Sequence, residues 1–215
     1  MLERKNVDPN RPNKDGRTPL GFAATVEHEG VVKLLLEQEN VDPNHLDQDN
    51  LSPLGYAAFH GHEGVVKLLL ERETVDPNPP ARNGQTPLGI AALLGHEGVV
   101  KLLLERGDID PNPPVENGLT LLGIAALLGH EGVVKLLLER EGVDPNSSDN
   151  NGLTPLALSA AEGHEGVVKL LLERENVDLN HLDNNDLVSL MRAADQGHEG
   201  IVRLLLQRLL ASRFE

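Results

Sequence analysis

The sequence predicts an all-α solenoid of stacked helix–turn–helix units with hairpin-like turns between them, and three observations carry that reading. The tripeptide His-Glu-Gly starts at His28, His62, His96, His130, His164 and His198, always 34 residues apart. An acidic turn keeps the same beat at Asp8, Asp42, Asp76, Asp110, Asp144 and Asp178. Between them lie two short apolar blocks, each bounded by turn or cap residues. A fixed period of this length marks supersecondary units that bury their apolar sides against one another, not one closed core.

Residues 76–109 show how one unit is built. The opening Asp76-Pro77-Asn78-Pro79-Pro80-Ala81-Arg82-Asn83-Gly84 is rich in turn formers and reads as a hairpin-like connection. Thr86 suits an N-cap, because its hydroxyl can accept from a free backbone N–H. Pro87 suits the first helical position, where its missing N–H costs nothing. The first helix is predicted over Pro87–Leu94, with Gly95 as a left-handed C-cap. The second follows His96-Glu97-Gly98, and Val99, Val100, Leu102, Leu103 and Leu104 give it a broad apolar face. Lys101 and Glu105 are spaced to pair on its outer side. Helices of two or three turns do not persist alone. Burial against the next unit supplies roughly 1.5–3 kcal/mol per large side chain.

Composition narrows the function. Thirty-four acidic residues against 19 basic give a net charge of −15, so the basic footprint of a nucleic-acid binder is missing. A protein partner with a basic rim fits better. The absence of cysteine removes disulfides and thiolate metal sites from consideration. The first ten residues carry no apolar signal-peptide core, and no apolar run approaches membrane-spanning length. A cytoplasmic, membrane-free setting is expected. Aromatic residues are 2% of the chain, so the core must be aliphatic and thin.

The blocks Gly16-Arg17-Thr18-Pro19-Leu20-Gly21-Phe22-Ala23-Ala24 and Gly84-Gln85-Thr86-Pro87-Leu88-Gly89-Ile90-Ala91-Ala92, with G-H-E-G-V-V-K-L-L-L-E from Gly61, Gly95, Gly129 and Gly163, resemble the ankyrin repeat family over nearly the whole chain. Near-identical units of this kind are similar to fungal ankyrin arrays, which often sit at the C-terminal end of NOD-like receptors. A designed consensus array is the other origin consistent with such regularity. The resemblance implies a single ankyrin-repeat domain over residues 1–215. Its repeats fall at 8–41, 42–75, 76–109, 110–143 and 144–177, with a C-terminal capping repeat at 178–215. Residues 1–7 match the tail of a preceding second helix, Leu2 in register with Leu36. The first complete unit therefore has an uncovered side, and the chain reads as a segment of a longer array or of a larger protein.

Three departures from the family pattern stand out. Gly21, Gly55, Gly89 and Gly123, then Ala157 and Met191, replace the histidine of the T-P-L-H box. The unit carries one extra residue after its second helix. In the last repeat, Asp186, Val188 and Ser189 stand where Gly, Thr and Pro stood. The apolar tail with Leu209, Leu210 and Phe214 is expected to lengthen the final helix over an open side. A docking or dimer contact is the alternative.

The resemblance also implies where a partner would bind: at the hairpin tips and the two residues before the glycine that joins the helices. In this chain the tip residues singled out are Arg17, Leu51, Gln85, Leu119 and Leu153. The helix-end pairs are Phe59/His60, Leu93/Leu94, Leu127/Leu128 and Ala161/Glu162. Phe59, Leu93, Leu94, Leu127 and Leu128 are apolar where polar residues are usual. They form an interaction surface, or they tuck between helices and fill the space left by Gly55, Gly89 and Gly123. The periodic histidines lack the second ligand four residues on that a zinc helix needs, and are expected to bond backbone in an adjacent turn. No nucleophile–base group and no phosphate-binding glycine loop occurs. The expected molecule is a non-catalytic protein-binding module without metal or cofactor, monomeric. A structural spacer or self-associating array, and hence a homo-oligomer, is the alternative.

Overall fold

The computed structural model describes residues 8–82, 84–113, 116–185 and 187–211. The expectations placed on residues 1–7, Asn83, Asp186 and Phe214 fall outside them. Every regular element among the described residues is helical. Contacts group the chain into two compact units, Met1–Ile109 and Asp110–Glu215, divided at an expected repeat boundary.

The first unit holds three helix pairs. They are α1 (Pro19–Thr25) with α2 (Glu29–Leu36), α3 (Pro53–His60) with α4 (Glu63–Leu70), and α5 (Pro87–Leu94) with α6 (Glu97–Leu104). First helices pack on first helices, α1 on α3 and α3 on α5, and second helices do likewise. The second unit repeats the scheme with α7 (Leu121–Leu127) and α8 (Glu131–Leu138), α9 (Pro155–Glu162) and α10 (Glu165–Leu172), and α11 (Ser189–Asp195) and α12 (Glu199–Ala211).

The helices start and stop where local chemistry dictates. Thr18, Ser52 and Thr86 accept through their hydroxyls from the N–H groups of Gly21, Gly55 and Gly89, at 3.2, 3.0 and 3.2 Å. Proline follows each cap at the first helical position. Gly61 ends α3 at φ 73°, in the left-handed region. In the first repeat that place falls to Glu27, which adopts φ 58° despite its side chain. The last repeat has lost its cap: Val188 precedes α11 and offers no side-chain acceptor. Its helix α12 runs 13 residues where α10 runs eight, which agrees with a lengthened final helix. Leu206 and Leu210 on it are nonetheless exposed.

The core is aliphatic. Leu54, Val65, Leu69, Leu88, Val99 and Leu103 in the first unit are fully buried, as are Leu156, Val167 and Leu171 in the second. On the outer side of α10, Lys169 pairs with Glu165 at 2.6 Å, in the favourable Glu-first order and not the Lys-first order read for Lys101 and Glu105.

Polar side chains fasten neighbouring repeats. Asn44 donates through Nδ2 to the Thr74 carbonyl at 2.7 Å and accepts through Oδ1 from the Asp76 N–H at 2.8 Å. Asn10 does the same with Asn40 and Asp42, and Asn146 with Asn176 and Asp178. Arg106 reaches back to the Leu70 carbonyl at 3.4 Å, and Arg174 to that of Leu138 at 2.7 Å. Four of the periodic histidines bond backbone, as expected of them. Their acceptors are the ends of preceding first helices and not turns: Thr25 for His62, Phe59 for His96, Leu127 for His164 and Ala161 for His198, at 2.9–3.0 Å.

Candidate protein-binding surface

Several tips are tight turns held by a single side chain. In the second repeat Asp47 accepts from the N–H groups of Asp49 and Leu51, both at 2.9 Å. Its own N–H donates to the Leu51 carbonyl. Asp149 and Asp183 repeat this arrangement in the second unit. Successive tips are joined by backbone bonds, Gln48 to Asp15 and Arg82 to Asp49 in the first unit, Asn184 to Asn151 in the second. Side chains on the tips are thereby set at a fixed spacing on a stiff edge.

Three of the glycines in place of the T-P-L-H histidine, Gly21, Gly55 and Gly123, have a physical account. A Cβ at Gly21 would lie 3.1 Å from Cγ of Arg17, and one at Gly55 would lie 3.1 Å from Cδ2 of Leu51. At Gly123 the nearest atoms belong to Leu119 and Thr120, at 3.4 Å. The tip residue four positions earlier folds down onto the bare helix turn. Arg17, Leu51 and Leu119 therefore lie half-buried on the backbone.

Arg17 also carries a cluster that sequence reading did not foresee. Its guanidinium stacks 4.0 Å from the Tyr56 ring centroid and donates to the Tyr56 hydroxyl at 2.7 Å. That hydroxyl donates in turn to Asp47. The Tyr56 hydroxyl is pushed up to about 12, first by burial and next by its bond to the Asp47 carboxylate, against the opposing pull of Arg17. Asp183 in the second unit takes Arg192 as its partner. Burial works to raise the Asp183 carboxyl, but the bond from Arg192 and two backbone N–H groups outweigh it and hold the group below its usual range. Such pairs couple residues 9 and 39 apart in sequence, so no local pattern announces them.

Among the helix-end pairs of the first unit, Phe59 is 48% exposed, Leu94 is 40% exposed, His60 is exposed and Leu93 is half-buried. Phe59 lines a cavity of about 350 Å³ together with Leu51, Ala81 and Ile90, and Asp49, Arg82 and Gln85 complete its wall. Leu51, Phe59 and Gln85 were singled out from the sequence. Ile90 belongs to the scaffold pattern and Ala81 to the turn, and neither carried a signal. His60 stands edge-on to Phe59 and stacks on His62. Its imidazole is held below the usual value, first by burial, then by the neighbouring His62, Arg17 and His96. In the second unit Leu128 is 42% exposed, Leu127 and Ala161 are half-buried, and Glu162 is exposed. Leu119 and Leu153 lie half-buried at their tips.

No group of three or more histidine, cysteine or acidic residues spaced to hold a metal occurs among the described residues. None of the described helices is long and apolar enough to cross a membrane.

A family model described as ankyrin repeats (3 copies) matches residues 1–81, 73–149 and 122–212. The chain belongs to the ankyrin repeat family. Its fold matches solved ankyrin structures. The ankyrin repeat domain of Bcl-3, a member of the IκB protein family, superposes with a TM-score of 0.79 and 27% identity, over 91% of this chain and 87% of that one. EF0377, an ankyrin repeat protein, gives a TM-score of 0.80 and 27% identity over 91% and 98%. No curated protein matches the sequence. Ankyrin repeats are a general protein–protein interaction module.

Proposed function

We propose that this array binds a protein partner through its hairpin tips and the helix ends beside them. In the first unit the contact set is Arg17, Leu51, Gln85, Phe59, His60, Leu93 and Leu94. In the second it is Leu119, Leu153, Leu127, Leu128, Ala161 and Glu162. The observation that carries the proposal is the exposure of Phe59 and Leu94 beside an apolar cavity floored by Leu51 and Ile90. Large apolar side chains left open next to a concavity favour an apolar segment of a partner. The net charge of −15 favours a basic rim around that segment and a salt-sensitive association rate.

The array works in an intracellular setting as one part of a larger, receptor-type protein, and it has no catalytic role. The fungal receptor arrays that it resembles support this context. Pull-down followed by affinity measurement on the purified partner tests the proposal. A Phe59→Asp/Leu94→Asp variant is expected to lose at least tenfold in affinity with its circular dichroism unchanged. Undiminished affinity would remove the first-unit surface from the proposal.

A further inference from the structure

Within the first unit, two successive joints between repeats are built on one plan from different residues. At the joint of the first and second repeats, the tip residue Arg17 passes over Gly21 and runs on between the repeats. Its guanidinium lies 4.0 Å from the Tyr56 ring centroid and 3.5 Å from the Thr25 hydroxyl. It also donates to the Tyr56 hydroxyl, which donates to Asp47. One period later, Leu51, Ile90, Phe59 and Ala81 stand where Arg17, Tyr56, Thr25 and Asp47 stand. The leucine ends early. Its Cδ2 lies over Gly55 as Cγ of Arg17 lies over Gly21, each 3.1 Å from the place a Cβ would take.

Leu51, Ile90, Phe59 and Ala81 all line the cavity of about 350 Å³. That cavity is therefore the slot that the Arg17 guanidinium fills at the preceding joint. Its chemistry differs. The carboxylate of Asp47, which faces a cation through Tyr56, gives way to the methyl group of Ala81, and the Tyr56 phenol to Ile90. Thr25 gives way to Phe59, whose ring stays open to solvent. At the rim, the Arg82 guanidinium lies 4.0 Å from the Asp49 carboxylate and donates to the Gln48 carbonyl. The two rim charges face each other, so a charged guest would lose water and gain no counter-ion inside the slot. A neutral flat guest loses little and gains ring contact with Phe59.

We infer that the slot between the second and third repeats receives one aromatic side chain of the protein partner. The inference rests on the tips and helix ends being the partner surface, and it adds which side chain anchors there. The occupant follows from the comparison of the two joints. A slot that takes a planar guanidinium at one joint takes a planar ring at the next, once the groups that select a cation are replaced by hydrocarbon. The size agrees. A cavity of roughly 150 Å³ holds a benzene ring, so about 350 Å³ admits an indole as well as a phenyl group. Basic residues flanking the ring in the partner are drawn by the acidic array without entering the slot.

The test adds N-acetyl-tryptophanamide to the full chain and follows methyl resonances. Those of Leu51, Ala81 and Ile90 are expected to move upfield under the ring current of the probe, and those of the fully buried Leu103 to stay. N-acetyl-argininamide and N-acetyl-leucinamide at the same concentration are expected not to displace the probe. Ala81→Leu fills the slot from the turn and is expected to abolish the shifts at Leu51 and Ile90, with the Leu103 resonances as the folding control. Leu51→Arg/Ala81→Asp/Ile90→Tyr rebuilds the cluster of the preceding joint and is expected to abolish saturation transfer to the probe. Unmoved methyl resonances at Leu51, Ala81 and Ile90 overturn the inference. So does displacement by either competitor, or persistence of the shifts in Ala81→Leu. The partner surface is judged separately: a partner whose affinity falls with Phe59→Asp/Leu94→Asp but not with Ala81→Leu keeps the surface and removes the slot.

Discussion

Nε2 of His96 lies 3.0 Å from the carbonyl oxygen of Phe59. That bond fixes the start of α6 to the end of α3, the same turn that presents the Phe59 ring to solvent. The ring of His96 also covers Gly61, where a Cβ would approach its Nδ1 to 2.7 Å. One scaffold residue thus orders one surface residue. His96→Ala is expected to cost about 0.5–1.5 kcal/mol for the lost bond, read as a shifted urea midpoint. It should also speed amide exchange at Gly61 and His62. A midpoint unchanged within error would mean the bond is not made in solution.

Asn44 closes a ring of backbone bonds between two repeats, and no other side chain of its size offers both a donor and an acceptor in that plane. Asn44→Ala strands the Thr74 carbonyl and the Asp76 N–H. Both are near solvent, so water recovers part of the loss. About 1–2 kcal/mol is expected, measured by denaturant unfolding. Asn44→Asp keeps the acceptor alone and should fall between the two.

Tyr56 is the sole tyrosine and there is no tryptophan, so tyrosinate absorbance reports on this one group. Its folded value, about 12, exceeds the ordinary value of about 10. Protonated Tyr56 therefore contributes stability that is fully present below pH 10 and is lost as pH rises towards its folded value. Spectrophotometric titration of the native chain should give a midpoint well above that of the urea-denatured chain. Tyr56→Phe should flatten the alkaline loss of stability. Coincident native and denatured midpoints would contradict the Arg17–Tyr56–Asp47 arrangement.

Much of this was legible because successive repeats report the same local rule. The cap at Thr86, the helix Pro87–Leu94 and the left-handed Gly95 follow from short-range chemistry, and the structure places them at those residues. The backbone bonding of the histidines was legible too, since nothing near them could complete a metal site. What stayed hidden depends on pairs distant in sequence. Leu51 lying on Gly55 needs the turn of the tip to be known, and Arg17 stacking on Tyr56 needs the register between two repeats. Period alone fixes which residues are equivalent; it does not say which side chains point at one another. The exposure of Phe59 and Leu94 was likewise open, because an apolar residue at a helix end serves core and surface equally well.

The central claim is a division of labour: buried aliphatic residues hold the repeats together, while Phe59 and Leu94 at the helix ends stay exposed. Denaturant unfolding of Leu103→Ala beside Phe59→Asp tests it most directly. Leu103 is fully buried, and its truncation is expected to cost about 2–5 kcal/mol. Phe59→Asp should change stability by no more than about 0.5 kcal/mol, as a surface substitution does. A loss at Phe59 as large as that at Leu103 would place the ring in the core and contradict the account.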